Sequence, residues 1–207
     1  MNDRYDTVRR TVRVKLPVGA CRFIASVGRV NSEEEAKAFI EEVSGEFSDA
    51  THNAFAYKVG VGDGAVCRQS DAAEPAGTAG APMLQAIEHA GLTNVAVVGT
   101  RYFGGVKLGI GGLVRAYRAC AEAGLAEAGK KTEICYEALC VQVPYDEMGA
   151  VMRELAVVGG EVDKIDYTAD GVNVICRVPL NAAALLKEQI ADVTRGKAKV
   201  EFGHTKR

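Results

Sequence analysis

The sequence predicts an α+β protein of two domains, and three observations carry that prediction. The chain has 207 residues, which at roughly 150 residues per domain lies between one domain and two. Strand-like and helix-like segments alternate along it, and the pattern restarts after Lys130 and Lys131. From that restart to the end, the segments read β-α-β-β-α-β, the split βαβ order of ferredoxin-like domains. The expected domains are 1–132, a two-layer α/β unit, and 133–207, a ferredoxin-like unit.

Each element has its own signal. Val8, Val12, Val14 and Leu16 read as an opening strand and Phe23, Ile24 and Val27 as a second, with Pro17 and Gly19 between them. Ser32 followed by Glu35 is a capping box, and Ala36, Phe39, Ile40 and Val43 recur at helical spacing before Gly45. Residues 53–59 alternate as a strand, and Gly60, Gly62 and Gly64 turn the chain towards Cys67 and Gln69, so a hairpin is expected. After a proline- and glycine-bearing loop at 74–80, Pro82 suits a first helical position, and Met83, Ile87 and Ala90 share one face up to Gly91. Val95, Ala96, Val97 and Val98 form an apolar run too short for a helix, which predicts a buried central strand. Five glycines then fall within 104–112, and a helix is expected from near Leu113 through Tyr117, Cys120 and Leu125 to Gly129. In the second domain the reading is a strand at 134–143, a helix after Pro144 with Met148, Val151 and Leu155 inward, strands at 161–167 and 172–178, a helix at 182–190 and a strand at 197–202.

Composition narrows the function classes. Hydrophobic residues at 48% and charged residues at 25% match soluble globular domains and exclude a disordered or fibrous chain. A net charge of -2 excludes a wholly basic nucleic-acid binder, so charge is read regionally. Residues 133–207 hold 9 basic and 12 acidic side chains, leaving 16 and 15 for residues 1–132, where the small positive bias lies. The first thirty residues carry seven Arg or Lys and no apolar signal core, and no apolar run approaches the roughly 18 residues of a membrane helix, so a cytoplasmic protein away from membranes is expected. Six cysteines without a C-x-x-C pair read as reduced thiols, and His52, His89 and His204 lie too far from one another and from cysteine for a metal site. No cofactor is expected. Lys107 is followed by Leu108 where a Walker A loop needs Ser or Thr, and Val114 stands where a dinucleotide fingerprint needs its third glycine.

Two constellations could carry chemistry. Between Glu88 and Glu122 there is no acidic residue, yet Arg101, Lys107, Arg115 and Arg118 occur there. Gly109, Gly111 and Gly112 would present backbone N–H groups at the positive end of a helix, and Tyr102 with Phe103 could stack on bases, so this segment is the candidate anion or nucleic-acid site. The competing reading is that the glycines serve strand-to-helix packing and the arginines are a solvated face. His52, Asp71 and Glu74 are the candidate acid–base residues, against a reading in which the two carboxylates shape a turn and favour the next helix's positive end.

These same segments carry a resemblance. Ala50-Thr51-His52-Asn53, then Ser70-Asp71, then Glu74-Pro75-Ala76-Gly77-Thr78-Ala79-Gly80, then Thr100-Arg101-Tyr102-Phe103-Gly104-Gly105-Val106-Lys107-Leu108-Gly109 with Gly111 to Tyr117 resemble the IMPACT family, in its bacterial YigZ branch. The resemblance implies a first domain similar to the second domain of a small-subunit ribosomal protein, and a second similar to the ferredoxin-like carboxy-terminal part of elongation factor G. Both of those relatives touch ribosomal RNA. The family pattern Asp-Asp-Gly-Glu-Pro-Ser-Gly is altered here, Ala72, Ala73 and Ala76 replacing its second Asp, its first Gly and its Ser. The expectation is a cytoplasmic regulator or accessory factor of translation that binds RNA, the ribosome or another phosphate-rich ligand, with a protein of the translation machinery as a further partner. A hydrolase using His52, Asp71 and Glu74, and a protein-interaction module docking through the second domain's exposed sheet face, are the alternatives.

Overall fold

The computed structural model describes residues 3–203, so His204 lies outside the described residues. The chain separates into two compact units, Tyr5–Glu133 and residues 134–203 taken with 3–4.

In the first unit the opening strand is two strands. β1 (Arg4–Val8) and β2 (Val12–Val18) are interrupted at Arg9 and Arg10, both exposed. β3 (Cys21–Arg29) leads to α1 (Glu33–Glu46), whose capping box forms as the sequence predicts: Ser32 Oγ accepts from the Glu35 N–H at 3.2 Å, and the Glu35 carboxylate accepts from the Asn31 N–H at 2.7 Å. β4 (His52–Val59) and β5 (Val66–Ser70) make the expected antiparallel hairpin. Two helix starts differ from expectation. α2 (Gly80–His89) begins two residues before Pro82, and α3 (Gly109–Ala128) begins four residues before Leu113. β6 (Val95–Tyr102) runs between them, and β7 (Lys130–Ile134) pairs with β1 in a separate two-stranded sheet.

The main sheet has the order β2-β3-β6-β4-β5, all neighbours antiparallel. β6 lies at its centre and is buried from Val95 to Arg101, because both faces are covered. Val95 and Val97 join the large core with Phe23, Met83, Ile87 and Tyr117 beneath α2 and α3, while Ala96 joins a smaller core with Val30, Ala36 and Tyr57 beneath α1. Tyr117 meets Phe23 edge to face at 5.1 Å.

The second unit contains β8 (Tyr136–Val143), α4 (Met148–Val157), β9 (Glu161–Thr168), β10 (Gly171–Pro179), α5 (Ala183–Val193) and β11 (Lys199–Phe202). The strand expected over 134–143 is broken at Cys135, which leaves Ile134 in β7. The sheet order β11-β8-β10-β9 is the ferredoxin-like one, with the first and third strands central. Its inward residues alternate as Leu139, Val141 and Val143 on β8 and Val172, Val174, Cys176 and Val178 on β10, packing against Val151, Leu155, Leu186 and Ile190 from the two helices. All six cysteines are free, four of them buried. Among the described residues no helix is long and apolar enough to cross a membrane.

Candidate functional site

The site grows from the end of β6. Strand alternation carries Val95, Val97, Gly99 and Arg101 to one face, so the last of an otherwise apolar series is a guanidinium. Its side chain is 7% exposed, and a buried cation needs a partner. Glu74, 2% exposed, supplies it: Arg101 Nη1 donates to Glu74 Oε1 at 2.8 Å and to Oε2 at 3.0 Å. The Tyr117 hydroxyl donates to the same Oε1 at 2.8 Å, and Arg101 Nη2 reaches Cys21 Sγ at 3.5 Å. Burial would pull the Arg101 proton off, but the bond and charge of Glu74 outweigh it and hold the guanidinium above its usual range. Burial, then the bond to Glu74, pushes the Tyr117 phenol far above its ordinary value, so it serves as a fixed donor.

A cleft of about 440 Å³ opens above this floor. His52 and Glu74 line its base with Arg101, Phe103 and Ile110 its wall, and Lys107 its edge. His52 Nδ1 lies 2.8 Å from the Ala72 carbonyl. A carbonyl only accepts, so Nδ1 carries the proton and Nε2, 3.9 Å from Glu74 Oε2, is the acceptor of the neutral ring. The loop from Phe103 to Leu108 is tied at its two ends: the Phe103 N–H donates to Thr51 Oγ1 at 3.0 Å, and the Cys21 thiol donates to the Val106 carbonyl at 3.9 Å. Gly109 lines the cleft at the start of α3, where no side chain among the described residues caps the helix.

The candidate residues therefore divide. His52, Glu74, Arg101, Lys107 and Gly109 meet at the cleft, with Gly111 exposed and Gly112 half-buried in the first turn of α3. Arg101 belongs to the floor rather than to a free basic surface, because Glu74 balances its charge. Tyr102 faces away from the cleft lining: its hydroxyl donates to Asp49 at 2.7 Å, and the Arg22 guanidinium lies 4.2 Å from its ring. Arg115 is exposed on α3, whereas Arg118 is half-buried and donates to Gln85 of α2 at 2.5 Å. Asp71 is also elsewhere. Its carboxylate accepts from the backbone N–H groups of Gly77, Ala79 and Gly80 at 2.8–2.9 Å, capping α2. Sequence reasoning missed Tyr117 and Cys21 as parts of the site. A tyrosine on the apolar stripe of α3 was the available signal, since a buried phenol needs a hydrogen-bond partner.

With Asp71 spent on a helix start and Glu74 on a buried ion pair, neither carboxylate stands free to activate water, and His52 alone remains of the acid–base set. Burial would raise the Asp71 carboxyl, but the three backbone N–H bonds outweigh it and hold it below its usual range. Its contribution to stability is thus present above the ordinary carboxylate value and lost as pH falls through the lowered one. Asp71→Ala is expected to cost about 1–2 kcal/mol at neutral pH, and the gap to the parent protein to close on acidification below about pH 4. Denaturation at a series of pH values checks this.

Ala72 and Ala73 come next in the chain with φ of 47° and 67°, the left-handed region that disfavours a Cβ. Relief of that strain at Ala73→Gly, less the entropy glycine adds to the unfolded chain, is expected to raise stability by about 0.5–1 kcal/mol. A rise in thermal midpoint measures it, and an unchanged or lowered midpoint would contradict it.

The fold and this cleft define a class, an α+β chain whose amino-terminal unit builds a glycine-rich loop over a buried Arg–Glu pair and whose second unit is ferredoxin-like. The Impact N-terminal domain matches residues 20–125, and a domain of unknown function, DUF1949, matches residues 141–197. The chain belongs to the IMPACT family. It is 32% identical over 199 residues to the IMPACT family member YvyE of Bacillus subtilis, covering 96% of this chain and 91% of that one. It is 35% identical over 178 residues to the IMPACT family member YigZ of Escherichia coli, covering 84% and 86%. A crystal structure of a hypothetical protein is similar over the full length of both chains, with a TM-score of 0.77 and 29% identity.

Proposed function

We infer that the cleft binds a phosphate-bearing ligand of the RNA class, and that the protein acts in the cytoplasm as an accessory or regulatory factor of translation. The observation that carries the reading is the start of α3. A 20-residue helix opens at the cleft with no side-chain cap among the described residues, so its first N–H groups and about half a positive charge are offered to an anion. Lys107, exposed at the cleft edge, and Arg115, exposed on α3, add mobile charge on the same loop and helix. Phe103, 44% exposed, offers a ring to a base. The link to translation is supported by the family resemblance, which implies domains similar to folds of the translation machinery.

Binding of the purified chain to total RNA and to ribosomal subunits across a salt series tests the reading. The double variant Lys107→Glu, Arg115→Glu is expected to lower affinity and to flatten the log–log salt slope by about 2, one for each phosphate contact. Arg118→Glu, which alters a guanidinium held by Gln85, is expected to change the slope less. A slope that the double variant leaves unchanged would overturn the reading.

A further inference from the structure

We propose that the cleft takes one unpaired nucleotide, so that the RNA it selects is single-stranded or presents an unstacked base. This inference rests on the phosphate-ligand reading and narrows it. Volume points to it first: about 440 Å³ lies in the range of small-molecule sites, roughly 300–1,000 Å³, and a duplex presents no single base small enough to enter such a site without leaving its stack. The wall points the same way. Phosphate recognition needs no apolar surface, yet Phe103 at 44% and Ile110 at 69% exposure stand on the cleft. Exposed apolar side chains gathered at a concavity mark something that covers them, and the face of a base is apolar and flat. The Arg101 guanidinium lies 5.4 Å from the Phe103 ring, bracing that ring from within the protein.

The floor adds a hydrogen-bonding pattern. Arg101 Nε–H is buried and has no acceptor among the described residues, although both terminal nitrogens are engaged. A buried donor left without a partner in a cleft lining is a place for a ligand acceptor. His52 Nε2, with Nδ1 committed to Ala72, accepts at the same floor in the neutral form of the ring. One donor and one acceptor suit the edge of a base, which carries both, while a phosphate offers acceptors only. Base to the floor and phosphate to the start of α3, beside Lys107, sets each group of a nucleotide against a matching partner.

The test compares a short single-stranded RNA with a blunt duplex containing the same strand, using fluorescence anisotropy of the full chain with the parent protein, Phe103→Ala, Phe103→Tyr and Lys107→Glu. The expected result is tighter binding of the single strand, reduced about tenfold by Phe103→Ala and restored by Phe103→Tyr, with duplex binding unchanged in both. Phe103→Tyr keeps the packing of a ring that is 44% exposed, so it separates a loss of stacking from a loss of folding. Equal binding of the two forms, or an equal loss on both with Phe103→Ala, overturns the inference; if Lys107→Glu still flattens the salt slope, the phosphate reading stands without it. Binding of neither form overturns both.

Discussion

Replacing Glu74 with alanine is expected to lower the stability of the first unit by about 3–5 kcal/mol, the cost of leaving one partner of a buried ion pair alone. Uncompensated charge sets the size of the loss. The carboxylate is the sole anion bonded to the buried Arg101 side chain among the described residues, and it also satisfies the Tyr117 phenol. Removing it strands a guanidinium that cannot give up its proton and a phenol that loses its acceptor. Glu74→Gln keeps an acceptor but not the charge and should fall between the two. The double variant Glu74→Leu, Arg101→Met removes both charges and is expected to recover most of the loss, as buried pairs replaced by apolar side chains commonly do. Hydrogen exchange at the β6 amides reads these changes within the first unit. A loss under about 1 kcal/mol for Glu74→Ala would show that water reaches the floor and screens it.

Gly104→Ala is expected to be the second most damaging change, costing about 3 kcal/mol by overpacking and lowering RNA affinity about tenfold by moving the loop. A Cβ at Gly104 would stand 1.8 Å from the Ala20 carbonyl oxygen and 2.2 Å from its carbon. Both are backbone atoms, so no rotamer change relieves the contact. The loop must lift from the turn between β2 and β3, taking Phe103 and Lys107 with it and pulling on the Thr51 bond. The stability change is read by chemical denaturation and the affinity change in the salt-series binding assay. Unchanged affinity in a stably folded variant would mean the loop position does not matter to the ligand.

What could be read from the residues was local. The Ser32–Glu35 box announced α1 because cap and helix are adjacent, and the apolar run at 95–98 announced a central strand because burial on both faces leaves no alternation. The start of α2 was hidden since its cap, Asp71, comes eight and nine residues before the N–H groups it receives. The start of α3 was hidden since three glycines occupy its first turn and helical periodicity shows only from Leu113. The sequence groups Arg101, Lys107, Arg115 and Arg118 into one basic segment. Glu74, 27 residues from Arg101, and Gln85, 33 residues from Arg118, make them unequal, and pairings over such separations leave no mark in spacing.

The buried carboxylate also bears on timing. Because Glu74 is bonded to β6 through Arg101 and to α3 through Tyr117, the base of the cleft belongs to the same packed body as the core and opens only when that body opens. Residues 103–107 are exposed throughout and hold few such ties. On the proposed reading, the floor is a packed frame beneath the ligand and the exposed loop above it sets departure. Substitutions in that loop are then expected to alter residence time far more than association rate.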